Sequence, residues 1–262
     1  MCKNFCGAEH SPLRVRMLRY FCSQGVQTTI GAIGRLAAAW RAKRNHVHIL
    51  ACYAAAPEGA RVSLHRPDSS LRLGVGKIEA TLSLVRALEA RAGNLPDAVL
   101  LFGVCGAYPA GHGIKHALAV GDLCVVGTER LGDEGVCTPQ GFLDLEALGL
   151  GDTGPFVADT RLCTRIAQSL EIPVVAGVTV SRCSGRDELS RDLVSRCGAQ
   201  VESMEGAAVA RVCGEYRIPF IQLRCVSNMT GDRDPKTWDL EGSCLRIQDM
   251  VLQLMKGLLC DA

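Results

Sequence analysis

The stretch "RCVSNMTGDRD", residues 224–234, follows the apolar run "IPFIQL", which reads as a buried strand. It therefore sets Arg224, Ser227, Asn228, Asp232 and Asp234 at and beyond a strand exit, the place where α/β sheets bind ligands. A second group lies in "VESMEGAAVA", where Glu202 and Glu205 flank Met204 ahead of Gly206, Ala207 and Ala208. A glutamate at a helix start favours the helix dipole, but beside three small residues it also has room for a bulky neighbour. The two oxygens of a carboxylate suit a vicinal diol such as the 2′- and 3′-hydroxyls of ribose. "APEG" offers Glu58 as a lone acid, which reads equally as part of a solvent-exposed turn. "GPFVADTRL" puts Phe156 just ahead of a helix that Asp159 would cap, as a ring for stacking or for the core.

Two glycine-rich turns accompany these residues. Gly74 and Gly76 in "LRLGVGKIEA" stand between a strand and a helix, where backbone N–H groups meet anions or simply close a tight turn. A dinucleotide fingerprint is excluded, because Glu79 occupies its third glycine position. Gly103 and Gly106 in "FGVCGAYPAG" let a ligand approach the backbone, and a crowded sheet edge would want them too.

The elements that must position these groups begin at His46. "HVHILACYA" predicts a buried first strand, and "RVSLH" and "LRLGV", separated by the turn-rich "RPDSS", predict a hairpin. "GKIEATLSLVRALEARAG" has apolar residues at helical spacing and a glycine stop at Gly93. "DAVLLFGVCG" and "GDLCVVGTER" read as strands, and residues 131–158, rich in Gly, Pro and Asp, as a long excursion. A helix over 159–171, a strand in "IPVVAGVTVS", a helix near 187–196 and a short strand in "AQVES" follow. "EGAAVARVCGEY" reads as a helix, "IPFIQLRCVS" as a strand, and 243–259 as a closing helix. Helices alternating with near-continuous Val/Ile/Leu strands indicate a largely parallel sheet covered on both faces. No repeat or linker divides residues 46–262, which read as one domain.

Composition narrows the partners. Of 29 Lys/Arg and 27 Asp/Glu, residues 1–45 hold eight basic residues and one acid, leaving 21 basic against 26 acidic in the rest. The body therefore has no nucleic-acid footprint. The basic segment 1–45 is expected to stand outside the fold; it resembles an organelle transit peptide, with an upstream extension or a loose helix as the plainer reading. No apolar run reaches the ~18 residues of a membrane span. The fourteen cysteines are scattered without a CxxC, which suits reduced packing thiols in a cytoplasmic protein and argues against a metal site.

Taken in order, "GVGKIEA", "FGVCGAYP", "PFVADTRL", "VESMEGAAVA" and "RCVSN" resemble the nucleoside phosphorylase and nucleosidase superfamily over about residues 47–258. The resemblance implies a single-domain α/β/α sandwich around a mixed, partly barrel-like sheet. It further implies a homo-oligomer (dimer or higher) with sites near subunit interfaces, a nucleoside substrate cleaved between purine and ribose, and no cofactor. "VESMEGAA" with "SNMTGDRDPKTW" most resembles the futalosine hydrolase branch, which implies release of hypoxanthine from futalosine in menaquinone biosynthesis. Carried over by position, Glu205 would hold the ribose hydroxyls with Met204 against the sugar. Phe156 would stack on the base beside the Val157 backbone, and Cys105, Gly106 and Ser227 would complete the binding surface. Glu58 would orient or deprotonate the attacking water, with Arg224 near both. Asn228 stands where the methylthioadenosine nucleosidases keep an aspartate. An amide offers N–H to a 6-oxo group and its oxygen to a protonated N7, whereas an ionised carboxylate facing O6 opposes two acceptors. Asp232 and Asp234 read as turn or capping residues, or as proton donors to the base. Arg182, Arg186 or Arg233 would meet a carboxylate on the substrate or stay on the surface. The alternatives are an inosine phosphorylase, a methylthioadenosine/adenosylhomocysteine nucleosidase, and a non-catalytic nucleoside-binding protein.

Overall fold

The computed structural model describes residues 47–259, with Gly113, Lys115 and His116 excepted. The basic segment expected over 1–45 lies outside the described residues. Chain order runs β1 (Ile49–Tyr53), α1 (Ala56–His65), β2 (Ser70–Arg72), α2 (Lys77–Glu89), β3 (Ala98–Ala107), β4 (Leu123–Leu131), β5 (Gly135–Thr138) and β6 (Gly141–Asp144). It continues with β7 (Phe156–Val157), α3 (Thr160–Leu170), β8 (Val174–Thr179), α4 (Asp187–Cys197), β9 (Val201–Ser203), α5 (Gly206–Tyr216), β10 (Phe220–Met229) and α6 (Leu240–Leu259).

The main sheet runs β10-β4-β8-β9-β3-β1-β2, and β10 also pairs with β3. Strands β10, β4, β8, β9 and β3 thereby close a five-stranded mixed ring, which β1 and β2 extend. The β10–β3 and β4–β8 ladders are parallel, whereas β10–β4 and β3–β9 are antiparallel. Strands β1, β3, β9 and β10 are buried almost throughout, and helices cover the sheet: α6 packs on α1 and on β10, α5 on α2 and β8. On α6, Ile247, Val251, Leu254 and Met255 are all buried, at helical spacing. Burying side chains of this size contributes about 1.5–3 kcal/mol each. Helix α3 starts as expected, with Asp159 accepting from the Leu162 N–H at 2.9 Å.

Two expectations change. The predicted hairpin is absent: "RVSLH" belongs to α1, and β2 runs parallel to β1. Helical burial explains the first, since Glu58, Gly59 and Val62 are buried while Leu64 is 79% exposed. Pro57 in the first turn favours the helix as well. The excursion over 131–158 contains the small antiparallel pair β5–β6 and the short β7, which joins β4.

Candidate active site

The register of β10 on β3 sets up the site. Arg224 lies opposite Gly103 and Asn228 opposite Gly106, with a shift between Val226 and Asn228 that leaves Ser227 extra. A bulge of this kind breaks the two-residue alternation of a strand. As a result the consecutive residues Ser227 and Asn228 both face one cleft of about 320 Å³.

That cleft gathers the β1 exit, the β3 end, the turn into α5, the β10 exit and the start of α6. Glu58, Cys105, Gly106, Met204, Glu205, Ser227 and Asn228 all line it. Glu58 is buried, its Oε1 accepting from the Val104 N–H at 2.9 Å and its Oε2 from the Ala55 N–H at 2.8 Å. The carboxylate fits because residue 103 is glycine. A Cβ there would overlap Glu58 Oε1 and stand 2.9 Å from Arg224 Nη1.

Arg224 sits behind the lining, 1% exposed. Its Nη1 donates to the Val104 carbonyl at 3.1 Å and its Nη2 lies 3.7 Å from Glu205 Oε2, while Nε and Nη2 have no hydrogen-bond partner among the described residues. Glu205 also accepts from the Gly76 N–H at 2.9 Å, with Gly76 at φ +90°. The anion that the "GVGK" turn meets is thus the protein's own glutamate. Burial raises the Glu205 pKa, Arg224 and the Gly76 amide oppose this, and Glu58 adds to it. Asn228 is pinned by its neighbours: Ser227 Oγ donates to its Oδ1 at 2.9 Å, and its Nδ2 donates to the Met229 carbonyl at 3.2 Å. One N–H and one lone pair of the amide remain for a ligand.

Phe156 and Val157 are a correction. They form β7 beside Thr128 and Glu129 of β4 and do not line the cleft. Phe156 packs against the core and Val157 is 61% exposed. Part of the wall comes instead from Cys183, Ser184 and Gly185 after β8, and from Trp238. The sequence offered a signal for that wall, since "SRCSG" is a small polar run at a strand exit. Glu202, which lines the cleft, anchors the wall: it accepts from Ser184 N–H at 2.8 Å, Ser184 Oγ at 2.6 Å and Tyr108 OH at 2.8 Å. Burial raises the Glu202 pKa, and these same donors oppose the rise.

Arg233 lines the cleft with its guanidinium 4.5 Å from the Trp238 ring, while Arg182 and Arg186 are exposed. Asp232 accepts from the Asp187 N–H, and Asp234 caps a short turn through the Lys236 N–H. No described helix is long and apolar enough to cross a membrane.

A closed mixed sheet with a carboxylate-lined cleft at its strand ends is the frame of the nucleoside phosphorylase-like fold. The chain belongs to the phosphorylase superfamily, whose family model matches residues 58–258. It is similar to the futalosine hydrolase of Thermus thermophilus, 35% identical over 64% of this chain and 72% of that protein. The futalosine hydrolase of Streptomyces coelicolor is 32% identical over 74% of this chain and 82% of its own. Among solved structures, a 5′-methylthioadenosine/S-adenosylhomocysteine nucleosidase from Colwellia psychrerythraea in complex with adenine superposes with a TM-score of 0.68. It covers 83% of this chain and 98% of its own at 20% identity, a likeness of fold. Within the superfamily the chain stands with the nucleosidases.

Proposed function

We propose that the chain hydrolyses the N-glycosidic bond of futalosine, releasing hypoxanthine and dehypoxanthine futalosine. The observation that carries the reading is Asn228, an amide held by Ser227 in a cleft that also presents the carboxylates of Glu58, Glu202 and Glu205. With Oδ1 fixed, the free N–H of Nδ2 meets a 6-oxo group and the second lone pair of Oδ1 meets a protonated N7. Glu205 holds the ribose hydroxyls with Met204 beside the sugar. Glu58, fixed by two backbone N–H donors, orients the water that attacks C1′ as the ribose gains oxocarbenium character. Arg224 balances the charge of the acids. The proton that N7 takes up comes from solvent or a nearby acid, because an amide has none to give. The reading brings with it a homo-oligomer, a cytoplasmic location and a place in menaquinone biosynthesis.

Hydrolysis rather than phosphorolysis is favoured by the β1 exit, "AAAPEG". A phosphorylase needs a phosphate cradle there, and this chain presents the buried acid Glu58. Incubation with futalosine, following hypoxanthine with and without phosphate, tests the proposal. Equal release in both is expected. Phosphate-dependent release with ribosyl 1-phosphate as product, or a preference for methylthioadenosine, would overturn it.

A further inference from the structure

Behind the cleft lies a carboxylate that the mechanism above does not use. Glu129 of β4 is 1% exposed and has no cation in hydrogen-bond contact among the described residues. Its Oε1 accepts from Gln222 Nε2 on β10 at 2.9 Å, and its Oε2 from Thr179 Oγ1 on β8 at 2.9 Å. Thr179 Oγ1 in turn accepts the Ala207 N–H at 2.7 Å. That amide belongs to the first turn of α5, whose N-cap is Glu205. Two glycines make room for the group: a Cβ on Gly206 would stand 2.5 Å from Glu129 Cδ, and one on Gly177 2.6 Å from Glu129 Oε1.

We propose that Glu129 is a positioning residue of the site, which fixes the Glu205 turn through Thr179 and lies within the field of the same Arg224 guanidinium that stands beside Glu205. The inference rests on the proposed reading for the role of Glu205. The charged and titratable groups that face Glu129 are Arg224 on β10, Glu205 ahead of α5 and the Cys105 thiol on β3. Arg224 Nη2 stands 3.7 Å from Glu205 Oε2, so Glu129 feels the guanidinium through space while its hydrogen bonds come from the neutral donors Thr179 and Gln222. Burial, opposed first by Arg224 and then by Thr179 and Gln222, pushes Glu129 up to about 7. Its charge therefore changes at neutral pH, behind the ribose that becomes cationic in the transition state. Ionisation of Glu129 favours that cation, so kcat/KM rises through neutrality.

Two variants separate charge from hydrogen bonding. Glu129→Gln keeps the shape: its amide oxygen accepts from Thr179, and rotation of the Gln222 amide offers the unpartnered Gln222 Oε1 to the new N–H groups. It is expected to remove the inflection near pH 7 from the kcat/KM profile. Thr179→Val releases the Ala207 amide, and is expected to keep the inflection, move it upward and raise KM about tenfold. Urea unfolding at pH 5 and pH 7 supplies a readout without substrate, because wild type loses stability over that interval and Glu129→Gln should lose less, the raised Glu202 and Glu205 being common to both. The inflection is followed with futalosine or, if wild type leaves futalosine intact, with the purine nucleoside it does cleave, so the two ideas fail separately. An inflection that is the same in Glu129→Gln and wild type, or no inflection in wild type, would overturn the proposal. So would unchanged kinetics in Thr179→Val.

Discussion

Adding one methyl group to the strand behind the cleft should disable the site without replacing any residue that meets substrate. In Gly103→Ala the new Cβ overlaps Glu58 Oε1 and stands 3.0 Å from Glu58 Cδ, where ordinary contact begins near 3.4 Å. The strand is held at this point by β10, with residues 103 and 224 in register, between the β1 ladder that ends at Leu101 and the β9 ladder that begins at Gly106. The carboxylate must move instead, by roughly 1 Å, and in moving it weakens the bonds from Val104 and Ala55. A reacting group misplaced by about 1 Å typically costs ~100-fold in rate. Overpacking of a core typically costs about 1–3 kcal/mol, or ~2–4 °C in Tm per kcal/mol for a chain of this size. The assay is hypoxanthine release under saturating futalosine, with a circular-dichroism melt to confirm folding. The double variant Gly103→Ala/Glu58→Ala should be no slower than Glu58→Ala alone, since both changes act through one group. Activity within threefold of wild type, or a double variant that is additive, would refute the link between Gly103 and the water-orienting acid.

Asn228→Asp should lower kcat/KM for futalosine by about one to two decades, the ~1–3 kcal/mol of an unmatched buried polar group; equal rates would end the base-recognition argument. Phe156→Leu should leave KM within twofold whereas Trp238→Ala raises it about tenfold, because only Trp238 lines the cleft; steady-state kinetics on both variants decides. Stability should fall as pH rises from 4.5 to 7. Glu129 binds its proton more tightly folded than unfolded, so its contribution is whole below the unfolded pKa of 4.5 and is lost as pH passes about 7. At 1.36 kcal/mol per pKa unit this is about 3 kcal/mol; urea midpoints of wild type and Glu129→Gln measure it. Glu205→Gln should reduce kcat/KM at least 100-fold on ribosides while sparing hypoxanthine binding, measured by calorimetry.

Strand and helix order was legible because buried strands and amphipathic helices leave periods in the sequence. The exception, "RVSLH", failed for a physical reason. Its alternation of Val62 and Leu64 mimics a strand, but Val62 is buried beneath α6 and Leu64 is in solvent, a distinction made by tertiary contact and not by residue type. The cleft was legible where chemistry stands at strand ends, as in Glu58, Glu205 and Asn228. Phe156 misled, since an aromatic in an irregular segment carries no mark of whether it faces a ligand or the core. Least visible were pairings that need three-dimensional register. Nothing in "GVGK" announces that Gly76 donates to Glu205, 129 positions along the chain, nor in "GTER" that Glu129 lies against Gly206. These long-range contacts explain why the glycines of this chain are where they are. Gly103 admits Glu58 and Gly206 admits Glu129, so both acids fit against backbone that a side chain would block. On the proposed reading, the arrangement concentrates negative charge beside the ribosyl group and keeps the neutral amide of Asn228, held by Ser227, for the base.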